Sequence, residues 1–117
     1  MLFQSKRKKI TQYLAQKKET GWSAFDELLQ DWATDAMVQR LQQTGMTAIE
    51  IHIDWTDAYR CIDVQGKYGP YFVNLQIEPQ RFLLAMGADE PDEPDFFPLE
   101  SGEQVYALLG ERLNIRA

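Results

Sequence analysis

The apolar positions change their spacing twice along the chain: they recur every three or four residues up to Met46, every second residue from Thr47 to about Ile77, and every three or four again after Ser101. Helical spacing comes first. Ile10, Tyr13 and Leu14 mark one face of a segment from Ser5 to about Glu19, and Thr20-Gly21 supplies a stop. Ser23-Ala24-Phe25-Asp26 has the form of a capping box, with a hydroxyl at the N-cap and an acid three residues on. Phe25, Leu28, Leu29, Trp32 and Ala36 then form a stripe that Met37 and Leu41 widen, so the spacing predicts one helix running to Gly45.

In the middle of the chain the period is two. Ile49, Ile51, Ile53 and Trp55 alternate with Glu50, His52 and Asp54, which predicts a strand with one buried face. Trp55 to Ala58 reads as a reversal. A second strand over 58–65 turns Ile62 and Val64 inward and Tyr59, Cys61 and Asp63 outward. Two glycines and a proline in Gly66-Lys67-Tyr68-Gly69-Pro70 predict a turn. Tyr71, Val73, Leu75 and Ile77 alternate with Phe72, Asn74, Gln76 and Glu78 in a third strand. Residues 81–86, RFLLAM, have no clear period and suit a strand or a helical turn; the two hairpin-like links before them favour a fourth strand. Phe96–Leu99 suits a short edge strand, where Pro98 is tolerable. Ser101-Gly102-Glu103-Gln104 has the form of a second capping box, and Val105, Leu108, Leu109 and Leu113 form the stripe of a last helix.

This order predicts an α+β domain spanning residues 1–117: two N-terminal helices, an antiparallel meander of four to five strands and one C-terminal helix, with the helices packed mainly on one sheet face. Trp32, Ile51, Val73, Leu75 and Leu109 are expected in the core, Glu50 and Asp54 in water. One face of the sheet is left over. It carries Glu50, His52, Asp54, Tyr59, Asp63, Phe72, Asn74 and Gln76, and these are candidate binding residues.

Charge sharpens the picture. Of 12 Lys and Arg residues, six fall in residues 1–18, which hold no acid; the other six face all 18 acids. An acidic body repels phosphates and so excludes nucleic-acid binding there. Only the run Lys6-Arg7-Lys8-Lys9 on the first helix suits an anion, and it lacks the interleaved aromatics that stack bases. No apolar run approaches the roughly 20 residues of a membrane span, and no apolar core follows the N-terminal bases as a secretory signal requires. The single cysteine, Cys61, precludes an internal disulfide and suits a reducing, cytoplasmic setting.

The chemistry on offer is sparse. His52 is the only histidine, too little for the usual zinc sites, and Cys61 needs a base such as His52 to act as a nucleophile. The loop ADEPDEPD holds Asp89, Glu90, Asp92, Glu93 and Asp95 but lacks the alternation and central glycine of a calcium loop, and its prolines keep it extended. It reads as a solvated connection, or as an acidic contact surface (Asp92, Glu93, Asp95) for a basic partner. No phosphate loop, nucleophile elbow or paired-cysteine motif is present. The reading is a small acidic domain without cofactor or metal, binding a partner protein through its open sheet face or acidic loop. Small regulators, immunity or antitoxin proteins and chaperones share this composition. Homodimerisation through a sheet edge is also open. The alternative is an enzyme acting on a small molecule or using a metal, with His52 and nearby carboxylates or Cys61 as its working groups.

Overall fold

The computed structural model describes residues 2–89 and 92–116, with side chains from 7 to 114 within that range. Four helices and a five-stranded sheet follow the predicted order: α1 (Leu2–Thr20), α2 (Ala24–Ala33), α3 (Ala36–Gln43), β1 (Thr47–Trp55), β2 (Arg60–Tyr68), β3 (Tyr71–Ile77), β4 (Arg81–Gly87), β5 (Asp95–Pro98) and α4 (Gly102–Arg116). The strands form an antiparallel meander in the order β1-β2-β3-β4-β5. RFLLAM is therefore strand β4.

The helical stripes and one sheet face share a buried cluster. Ile53, Ile62, Val64, Val73, Leu75, Ile77, Phe82, Leu84 and Met86 from the sheet join Ile10 and Leu14 of α1, Phe25, Leu28 and Leu29 of α2, Met37 and Leu41 of α3, and Val105, Leu109 and Leu113 of α4. In register, Ile53 lies opposite Ile62 and Ile62 opposite Ile77, and Val64 faces Leu75, which faces Leu84. Every inward position thus meets an inward neighbour, which is what holds the register against a one-residue slip.

The helix expected to run from Ser23 to Gly45 is broken. Asp35 takes a left-handed conformation at φ 64°, which a short polar side chain tolerates. Just before it, the Thr34 hydroxyl donates back to the Gln30 carbonyl at 2.9 Å. Arg7 of α1 donates to the freed Ala33 carbonyl and to Asp35 Oδ1. The apolar spacing runs through this break without a gap, so the pattern alone does not register it. The first capping box is complete: Asp26 N–H donates to Ser23 Oγ, and Ser23 N–H donates back to Asp26 Oδ2. The second is half formed, because the Gln104 side chain accepts from Glu100 rather than from Ser101.

Two expected core residues are only half-buried. Trp32 sits under the Arg7 guanidinium, 5.7 Å from its ring centroid, and Ile51 lies on the edge strand β1. Val73, Leu75 and Leu109 are buried, and Glu50 and Asp54 are exposed, as expected. Asp26 is fully buried and satisfied: Tyr13 donates to one oxygen at 3.0 Å, and the Ser23 backbone and hydroxyl to the other at 3.0 and 2.8 Å. This one carboxylate ties α1 to the start of α2. Tyr106 of α4 reaches Asp31 of α2 at 2.8 Å, and Arg40 of α3 forms a two-pronged pair with Glu103 of α4. The helices are thereby tied to one another on the inward side of the sheet. No helix among the described residues is long and apolar enough to cross a membrane.

Candidate functional site

With the helices gathered on one face, the other is open. Strand register lays its side chains out in rows. The central row runs His52, Asp63, Gln76, Leu83, Phe96 from β1 to β5. Below it runs Glu50, Gln65, Asn74, Ala85, followed by Lys67 and Phe72 on β2 and β3. Above it Asp54 stands opposite Cys61, with Glu78 just past the end of β3 and Arg81 at the start of β4. Seven of the expected residues (Glu50, His52, Asp54, Asp63, Phe72, Asn74 and Gln76) therefore share this face. The eighth, Tyr59, precedes β2 and donates from its hydroxyl to Glu78 Oε2 at 3.2 Å.

The face is divided in character. Its β1–β2 half is acidic, with Glu50 and Asp54 exposed and Asp63 half-buried. Its β4–β5 half is apolar: Leu83 is half-buried, Ala85 buried and Phe96 56% exposed. Leu83, Ala85 and Phe96 escape the sequence reading as surface residues because β4 is apolar on both faces, which hides its period of two. Strand pairing with β5, itself expected at Phe96–Leu99, is the signal that reveals them.

At the centre, burial pushes the Asp63 carboxyl up from its ordinary range; His52 across the strand pair pulls it down and Asp54 pushes it up. Asp63 Oδ1 is shut off from solvent and accepts no hydrogen bond, and the same holds for Asn74 Oδ1. These two residues sit diagonally across β2 and β3, since Asp63 pairs with Gln76 and Gln65 with Asn74.

In register, His52 and Cys61 are diagonal neighbours on β1 and β2. His52 faces Asp63, and Cys61 faces Asp54. Cys61 is buried although it points to the open side. Burial pushes its thiol up, the Tyr59 hydroxyl draws it down, and Asp63, Glu78 and Asp54 push it up again. Three carboxylates around a thiol oppose the thiolate that nucleophilic chemistry needs. Among the described residues, no three His, Cys, Asp or Glu side chains converge in a way that would hold a metal ion. An open cleft of about 330 Å³ lies where Asp57–Arg60 and Glu78–Arg81 run side by side; its Arg81 and Glu78 are paired to each other at 2.9 Å.

The acidic loop lies elsewhere. Asp95 is in register with Leu84, an inward residue, and stands 3.8 Å from Arg112 of α4. Asp92, Glu93 and Asp95 line a notch with Leu84, Met86 and Arg112 on the helical side. Glu90 falls outside the described residues; Asp89, Asp92, Glu93 and Asp95 are exposed. The two surfaces expected to bind a partner are thus on different sides of the sheet. In the basic run, Arg7 is engaged with Ala33 and Asp35, Lys8 and Lys9 are exposed, and the Lys6 side chain lies outside the described ones. No protein-family model matches the chain, and neither a curated protein nor a solved structure matches it.

Proposed function

We propose that the protein is a non-catalytic binding domain that docks a partner protein on its open sheet face. The observation that carries this reading is the uncovered five-stranded surface with Phe96 56% and Phe72 37% exposed at its rim. Solvent-facing aromatics beside polar and charged groups are the usual make-up of a protein contact surface. The surroundings of Cys61, where burial and three carboxylates push the thiol up, favour binding over catalysis. The acidic loop, on the helical side, serves as a solvated connection in this reading. A reducing cytoplasmic setting fits the free Cys61.

The test is comparative capture from the native source with the wild-type chain and a Leu83→Asp/Phe96→Asp variant that melts normally. A specific partner should be retained by wild type and lost by the variant. Hydroxyl-radical footprinting of that complex should protect Phe72, Leu83 and Phe96. Equal capture by both proteins, or a footprint on the helices alone, would refute the assignment.

A further inference from the structure

The cations and carboxylates of the open face are not matched. Among the described residues it carries one lysine and one arginine, and each is drawn to an aromatic ring. Lys67 Nζ lies 5.0 Å from the Phe72 centroid, and the Arg81 guanidinium lies 4.9 Å from that of Phe96 while its Nε donates to Glu78. Glu50, Asp54 and Asp63 form no ion pair among the described residues. At the centre, Asp63 and Asn74 each hold an oxygen with no donor on it. Beside this acceptor-rich half lies the apolar half, Leu83 and Phe96.

We propose that the face receives a polypeptide segment of a protein partner that carries an arginine next to apolar side chains. Its guanidinium lies against the Asp63 carboxylate beside Asn74, and its apolar neighbours lie on Leu83 and Phe96. This rests on the reading of the face as a docking surface and adds the chemistry of what docks. Charge complementarity calls for a cation, since Glu50 and Asp54 lack one and Asp63 has only His52 across the strand pair. The layout selects arginine over lysine. A guanidinium presents five donors in a flat fork and is weakly hydrated, so it gives up water to a half-buried carboxylate more readily than an ammonium, which is a compact, strongly hydrated charge. The planar group also lies flat on a sheet whose neighbouring strands are only about 4.8 Å apart. The Asp63 oxygen that accepts is the second one, since Oδ1 is shut off from solvent.

The full chain, labelled with ¹⁵N, can be titrated by NMR with the capped peptide acetyl-Gly-Leu-Arg-Phe-Gly-amide and its citrulline counterpart, which keeps the shape and loses the charge. The expected result is amide shifts centred on Asp63, Asn74 and Leu83, with the arginine peptide bound at least about fivefold more tightly. Asp63→Asn should erase that preference while leaving the rest of the spectrum in place. Equal binding of both peptides at the open face would overturn the arginine assignment and leave the docking face standing. Shifts confined to the helices, or none at millimolar peptide, would overturn both. Shifts that grow with protein concentration alone, with a dimer in light scattering, would put a second copy on the face and overturn the assignment too.

Discussion

Replacing Asp63 with Asn tests the electrostatics of the open face without any partner. In the folded chain the Asp63 carboxyl is raised above its ordinary value, first by burial and then by Asp54, against an opposing pull from His52. The folded state therefore holds a proton more tightly than the unfolded one between the ordinary carboxyl range and the raised value. The contribution of Asp63 to stability is full below that window and is lost as pH rises through it. Once ionised, Asp63 is a half-shielded carboxylate with one oxygen unpaired. Asparagine keeps the shape and removes the charge. The expected gain is about 1 kcal/mol, the low end of the range for a shielded unpaired polar group, because the site is only half-buried. For a chain of this length that corresponds to a rise in Tm of roughly 4 °C. Calorimetry of both proteins at pH 7 and again at pH 3 provides the assay. The gain should be present at pH 7 and vanish at pH 3, where wild-type Asp63 is protonated. A variant less stable than wild type at pH 7 would refute the argument, since it would mean that the carboxylate stabilises the fold.

Leu75→Ala, at a 1% exposed position in the central strand, should cost about 2–5 kcal/mol in a urea titration, and a loss under about 0.5 kcal/mol would contradict the strand phase. Asp26→Ala strips the acceptor from Tyr13 and from both Ser23 donors, and should cost about 2–4 kcal/mol by the same measurement. Cys61 should react with a chromogenic disulfide reagent far more slowly in the native chain than in urea, because it is buried and its thiolate is disfavoured; equal rates would show that the thiol is open.

How far the sequence speaks for the fold can be seen at particular residues. The alternation Ile49 to Trp55 and Tyr71 to Ile77 names β1 and β3 and their inward faces, because each strand has one wet side. The same logic is weak for β4. Phe82, Leu84 and Met86 face the core while Leu83 and Ala85 line the open side, so both rows are apolar and the period disappears. The break at Thr34–Asp35 is hidden for the opposite reason: the helical period continues across it, and the Arg7 side chain that takes up the Ala33 carbonyl there comes from 26 residues away in sequence. Cys61 points to the polar side and is still buried, with the Tyr59 hydroxyl beside its thiol, which no alternation reports. The candidate face was legible as a row of polar residues on β1 to β3. Its apolar half needed the pairing of β4 with β5.

The charge layout then acquires a direction. The exposed bases Lys8, Lys9 and Lys18 lie on α1, in the helical layer, while Glu50, Asp54 and Asp63 lie on the sheet face away from that layer. The buried cluster therefore lies between the layer that carries the bases of α1 and the open face that carries these carboxylates. In the proposed docking, a basic partner would be drawn to the side where the carboxylates lack counter-ions, and the exposed Phe96 and Phe72 rings would supply the apolar contact. Attraction sets the rate of such an encounter and contact sets its lifetime, so added salt should slow association with little effect on dissociation.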